Sequence, residues 1–194
     1  MAPLRQILES LSRGPERAVA WIELVRDLTA PIDVTAPAIE FSERWAESRD
    51  VLVLAALQGF VKGADFLDRA LEKGDRFLLL ERSGRIRAFA WATFRDYRLD
   101  LLQTLHLAPG VAYLVYIFVY PRFQGKGVGY YLLGRLMTHL RERGCHTLVS
   151  GMYEDWEISV GLHRKSGFRI KRKFLKRRLL GLIPCPPKII DVEE

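Results

Sequence analysis

Apolar residues recur every three or four positions at Val128, Leu132, Leu136 and Leu140, with Tyr131 and His139 beside them, until Gly144 stops the pattern. This spacing predicts an amphipathic helix of about four turns. Just before it, VAYLVYIFVY from Val111 to Tyr120 is apolar without alternation, which predicts a fully buried strand. RFLLLE and RIRAFAWATF flank Ser83-Gly84 and predict a hairpin. Phe66, Leu67, Ala70 and Leu71 predict a helix ended at Gly74. Val19, Ile22, Leu24 and Val25, after SRGPE, fit an N-terminal helix from Pro15 to about Leu28. TAPIDVTAPAIEF then reads as an extended connection, and Arg95 to Gly110 as an irregular one. CHTLVSGMY predicts a short strand, and DWEISVGLHRKSGF a short helix capped at Gly167. The segment from Arg169 together with KIIDV supplies the last strands. The mixture indicates an α/β (α+β) chain, read as a single domain over residues 1–194 with an extra N-terminal helix.

Charge and composition narrow the partners. The net charge of +7 sits in one place, because RIKRKFLKRR, Arg169 to Arg178, holds seven basic residues and leaves 23 basic against 23 acidic residues elsewhere. Such a run suits an anionic membrane surface or an acidic ligand, or is one solvated strand face. It has only Phe174 and the nearby Phe168 for base stacking, which disfavours nucleic acid. No apolar run reaches the roughly 18 residues that span a bilayer, and the N-terminal residues lack a signal-peptide core. Cys145 and Cys185 form no CxxC pair, so neither zinc nor a disulfide framework is indicated. The expected location is the cytoplasm, with peripheral membrane attachment through the basic run as the second reading. A homodimer is compatible with the chain.

The stretch VYPRFQGKGVGYYLL, Val119 to Leu133, joins the apolar strand to the best helix through Gly125, Gly127 and Gly129. A strand-to-helix turn of this kind presents unpaired backbone N–H groups and the positive end of the helix dipole, with Lys126 adding charge. A phosphate or pyrophosphate is the expected guest. No Ser or Thr follows Lys126, which excludes a Walker site, and GxGxG behind Tyr-Pro-Arg-Phe is not the dinucleotide fingerprint.

Val119-x-Pro121-x-x-Gln124-x-x-Gly127-x-Gly129 resembles the acyl-CoA signature V-x-P-x-x-[QR]-x-x-G-x-[GA] of the GNAT superfamily of N-acyltransferases, at every defined position. LHRKSGF, Leu162 to Phe168, is similar to the family's second landmark. The resemblance covers residues 76–174, whereas residues 1–60 are divergent. It implies a GNAT fold: a mixed, mostly antiparallel, twisted sheet with splayed central strands and helices on both faces. It further implies acetyl-CoA or another acyl-CoA as co-substrate, with no metal, and an acyl transfer to a primary amine, most readily that of a small molecule. Backbone contacts to the pantetheine arm would come from Ile117, Phe118 and Val119. The amides of Gln124, Gly125, Lys126, Gly127, Val128 and Gly129 would cradle the pyrophosphate. Two other readings stay open: a GNAT-shaped acyl-CoA sensor with little turnover, and an acyltransferase working on a lipid-like or phosphate-bearing acceptor.

The chemistry requires deprotonation of an alkylammonium, stabilisation of an oxyanion and protonation of a thiolate. His163 stands where many relatives place an acid Tyr, four residues before Gly167, and a histidine could serve or could merely pack. Glu157 stands where relatives carry Asn, and it either faces the amine or, with Glu154 and Asp155, stabilises a helix N-terminus. Tyr113 points into the cleft or into the core. No single general base is evident.

Overall fold

The computed structural model describes residues 20–57, 63–98, 104–179 and 183–192. Its strands are β1 (Trp21–Asp27), β2 (Ser42–Trp45), β3 (Arg76–Arg82), β4 (Arg85–Thr93), β5 (Tyr97–Arg98), β6 (Thr104–Leu105), β7 (Val111–Val119), β8 (Thr147–Tyr153), β9 (Arg169–Leu179) and β10 (Ile183–Asp191). The helices are α1 (Val51–Ala56), α2 (Ala64–Glu72), α3 (Val128–Glu142) and α4 (Glu157–Lys165). Eight strands form one sheet in the order β10-β9-β1-β8-β7-β4-β3-β2, and β5 pairs with β6 alone. Every pairing in the large sheet is antiparallel except that of β7 with β8.

Each face of the sheet carries its own core. On one, Leu78, Leu80, Ala88, Ala90, Leu114 and Leu148 meet the apolar stripe of α3. Leu132, Leu136 and Leu140 in that stripe are fully buried, each worth about 2 kcal/mol. On the other, Phe77, Leu79, Phe89 and Trp91 pack under α1 and α2. The hairpin between β3 and β4 turns through Ser83 and Gly84, both at positive φ, as a tight two-residue connection demands.

Three expectations change. From Ala20 onward, the segment read as an N-terminal helix is instead β1, inserted between β8 and β9, while the part before Ala20 lies outside the described residues. The cause is double-sided burial: Ile22 and Leu24 face the α3 side while Glu23 faces the other, and all three are buried. A strand covered on both faces loses the polar alternation that would reveal it. Second, β7 is buried only at Ala112, Tyr113 and Leu114, and is half-buried from Val115 to Val119. Third, the irregular segment after Arg95 contains the small β5–β6 pair, although residues 99–103 within it lie outside the described residues.

β7 and β8 are paired only from Val111–Thr147 to Leu114–Ser150. Beyond that point β7 stays with β4 and β8 stays with β1, so the two central strands part. A register shift between Trp91 and Ala92 adds Val115 to β7 at this fork. The bulge turns Ile117 and Val119 onto the α3 face, with Tyr116 and Phe118 on the other.

Candidate active site

The fork opens into a cavity of about 820 Å³ on the α3 side, between the end of β7, the glycine turn and α4. Its lining includes Ile117, Val119, Gly125, Gly127, Gly129 and Glu157. Gly127 is the N-cap of α3 in the left-handed conformation, φ 79°, and no side chain caps the helix. The first helical bond runs from the Tyr131 N–H to the Gly127 carbonyl, 3.0 Å. The amides of Val128, Gly129 and Tyr130 therefore have no acceptor within the helix, which is the geometry of an anion cradle. A Cβ on Gly129 would lie 3.5 Å from Leu162 Cδ2 and 3.6 Å from Val119 Cγ2, ordinary contact distances, so this position borders β7 and α4 without requiring glycine.

Along β7, register separates the backbone contacts. The Tyr120 N–H donates to the Arg87 carbonyl, 2.8 Å. The alternation of an antiparallel ladder then directs the amide and carbonyl of Phe118 to Phe89 and turns those of Ile117 and Val119 to the open edge. Phe118 is thus removed from the expected backbone contacts. Its ring packs against Phe89, with centroids 5.8 Å apart. Gln124 Nε2 donates to the Val119 carbonyl, 2.9 Å, and pins the turn to the end of β7. Lys126 is exposed and does not line the cavity, whereas Lys165 does, with its Nζ 5.0 Å from the ring centroid of Tyr130. Val128 sends its side chain into the core, which leaves only its amide for a ligand.

His163 is enclosed rather than placed on the cavity wall. It is 1 % exposed, its Nδ1–H donates to the Ser159 carbonyl at 2.8 Å, and its ring meets Phe168 edge-on. Nε2 is buried without a hydrogen-bond partner. Burial holds its pKa below the ordinary 6.5, against the pull of the Ser159 carbonyl. A neutral imidazole whose one proton is committed to a carbonyl is a poor donor to a thiolate, and this opposes the acid role. The unfolded state binds a proton more readily than the fold, so stability present above pH 6.5 is lost as pH falls through the lowered value. His163→Phe is expected to keep turnover at pH 8 and to narrow the drop in melting temperature between pH 8 and pH 5. An unchanged drop means that His163 titrates as if in water.

Glu157 opens α4 and is exposed on the cavity wall, on the same side as the glycine turn. Tyr113 lies on the opposite face, 3 % exposed and stacked on Tyr97 with centroids 4.9 Å apart. Burial raises its pKa, reinforced by Tyr97 and Glu23. Glu23, which the helical reading of its segment hid, acts electrostatically on this tyrosine. It is 3 % exposed, in register with Gly151 of β8 and Arg172 of β9. Burial raises its pKa, opposed by Arg172 and Lys171. A lone acid inside WIELV was the available signal. Of the basic run, Arg172 Nε bonds Asp191 at 3.1 Å and Lys173 Nζ bonds Glu154 at 2.6 Å, so part of its charge is paired within the fold. Among the described residues, no group of three His, Cys, Asp or Glu converges as a metal site, and no helix is long and apolar enough to cross a membrane.

Known proteins resemble this chain in sequence and in fold. An L-amino acid N-acyltransferase of Escherichia coli is 40 % identical over 95 residues, 47 % of this chain and 48 % of the relative. An L-methionine sulfoximine/L-methionine sulfone acetyltransferase of Salmonella typhimurium is 29 % identical over 97 residues, 48 % of this chain and 50 % of the relative. The chain thus matches about half the length of these curated relatives. A solved aminoglycoside N-acetyltransferase in complex with CoA superposes with a TM-score of 0.51 at 20 % identity, over 66 % of this chain and 91 % of that one, which shows a common fold. Residues 37–168 match the Acetyltransferase (GNAT) family, and the chain belongs to that family.

Proposed function

We propose that the protein is an N-acetyltransferase that carries an acetyl group from acetyl-CoA to the primary amine of a small molecule, with L-amino acids as the acceptor class. The observation that carries this reading is the forked β7–β8 pair opening onto the uncapped N-terminus of α3. The names of the two relatives support the acceptor class.

The amides of Val128, Gly129 and Tyr130, with the helix dipole behind them, would hold the pyrophosphate. The outward edge of β7 at Ile117 and Val119 would take the pantetheine arm as an added strand does. The Val119 N–H, on that edge, would stabilise the oxyanion formed when the amine attacks the thioester. Glu157 stands on the cofactor side of the fork and Tyr113 is buried on the far side.

Calorimetric titration with acetyl-CoA, longer acyl-CoAs and free CoA tests the donor, and thiol release with a panel of L-amino acids tests the acceptor. Micromolar binding with a preference for acetyl-CoA and thiol release with at least one amino acid are expected. Absence of binding to every CoA derivative overturns the reading. Binding without thiol release for any amino acid overturns the acceptor class alone.

A further inference from the structure

We propose that Glu23 receives the acceptor's ammonium group and takes its proton, at the fork of β7 and β8 on the sheet face opposite the pyrophosphate cradle. This rests on the acyl transfer proposed above and supplies the base that the motifs left unnamed.

Position is the first argument. The last paired residues of the central strands are Leu114 and Ser150, and Glu23 is in register with the next residue of β8, Gly151. The carboxylate therefore stands one strand away from the point at which the cleft opens. Facing is the second. Ile22 and Leu24 belong to the α3-side core, so Glu23 between them projects to the other face, as does Tyr113 between Ala112 and Leu114. Donor and acceptor would approach the fork from opposite faces and meet in line.

The surroundings suit a cation. A Cβ on Gly151 would lie 1.8 Å from Trp21 Cζ2, so the indole covers this glycine, while Tyr97 and Tyr113 stack nearby. Aromatic faces around a buried carboxylate attract an ammonium group. The charged and titratable groups acting on Glu23 are Arg172 and Lys171 from β9 and Asp191 from β10, with Tyr113 facing it from β7 and nothing titratable at Gly151 of β8. Arg172 Nε donates to Asp191 at 3.1 Å, so part of its charge is engaged there. A carboxylate kept out of water at 3 % exposure costs stability unless something uses it.

The step balances. Glu23 takes one proton from R–NH₃⁺, and the nitrogen lone pair of R–NH₂ attacks the thioester carbon. The C–S bond breaks with its electron pair going to sulfur. The second proton of the nitrogen goes to the thiolate, and Glu23 returns its proton to solvent. The products are the amide, free CoA thiol and one proton.

The test compares wild type with Glu23→Gln using acetyl-CoA and two nucleophiles: L-methionine sulfone, an ammonium at pH 7, and hydroxylamine, already neutral there. The variant is expected to lose about 10² to 10⁴ in kcat/KM for the amino acid and to keep hydroxylamine acetylation and acetyl-CoA affinity. Its rate should also rise with pH in step with the free amine, without the acid limb of wild type. Wild-type efficiency on L-methionine sulfone overturns the proposal, and so does an equal loss on both nucleophiles, since that marks a structural role. Should Glu23→Gln fail to fold, Glu23→Asp must show the same division between the nucleophiles, and its absence has the same force. A wild-type protein that acetylates no amino acid removes the acceptor class of the preceding subsection and not this inference, which is then read with ethylamine as the ammonium probe.

Discussion

Gly127→Glu is expected to weaken acetyl-CoA binding at least about 100-fold, close to 3 kcal/mol, while the protein stays folded. Gly127 sits at φ 79° as the N-cap of α3, and a Cβ there meets nothing within 4 Å. Space is available for the new side chain, so the fold bears only the strain of a left-handed residue, about 1 to 2 kcal/mol. The carboxylate, however, would reach the amides of Val128, Gly129 and Tyr130 and occupy them as an internal anion, repelling the diphosphate that should lie there. Gly127→Asn separates charge from strain, since Asn tolerates the left-handed conformation, and its loss is expected to stay below about tenfold. Calorimetry with thermal melts alongside reads both. Unchanged affinity in Gly127→Glu would move the pyrophosphate away from this turn and remove the main support for the donor site.

Asp75→Ala should lower unfolding free energy by about 3 to 5 kcal/mol, measured by urea denaturation, without changing acetyl-CoA affinity. Asp75 is 1 % exposed and its two oxygens accept from Trp91 Nε1 and Thr93 Oγ1, each at 2.8 Å. Removal takes a buried charged acceptor from both donors, at about 1 to 3 kcal/mol each. The Arg95 contact, at 3.2 Å with the arginine 46 % exposed, adds little. The carboxylate also fastens the chain after α2, where the Asp75 N–H donates to the Ala70 carbonyl at 3.0 Å, to the second strand of the hairpin. Asp75→Asn keeps one acceptor and should lose about half as much. A loss under about 1 kcal/mol for the alanine variant would mean that the site relaxes around its donors.

The glycine turn was readable because its chemistry is local. Left-handed glycines, an uncapped helix and an apolar strand lie within consecutive residues, and each leaves a mark in the chain. The same locality made α2, α3 and the β3–β4 hairpin legible, since each is set by short-range periodicity and by turn residues. β1 was misread for the converse reason. Its strand character comes from β8 and β9, more than 100 positions away, and its buried faces erase the alternation. A helical reading of this segment gives Glu23 no relation to Tyr113, which it influences electrostatically in the fold. His163 illustrates a different limit: its position relative to Gly167 is local, but whether its ring meets the cleft or Phe168 depends on how α4 packs.

By itself, the sequence determined α2, α3, the β3–β4 hairpin, the glycine turn and the concentration of positive charge in one late strand, because these follow from neighbours along the chain. The tertiary structure alone decided that β7 and β8 part after Leu114 and Ser150, that Phe118 spends its backbone on β4, and that Glu23 lies in register with Gly151, one strand from the fork. Those facts depend on strand register across the sheet, which brings together residues that no spacing in the chain connects.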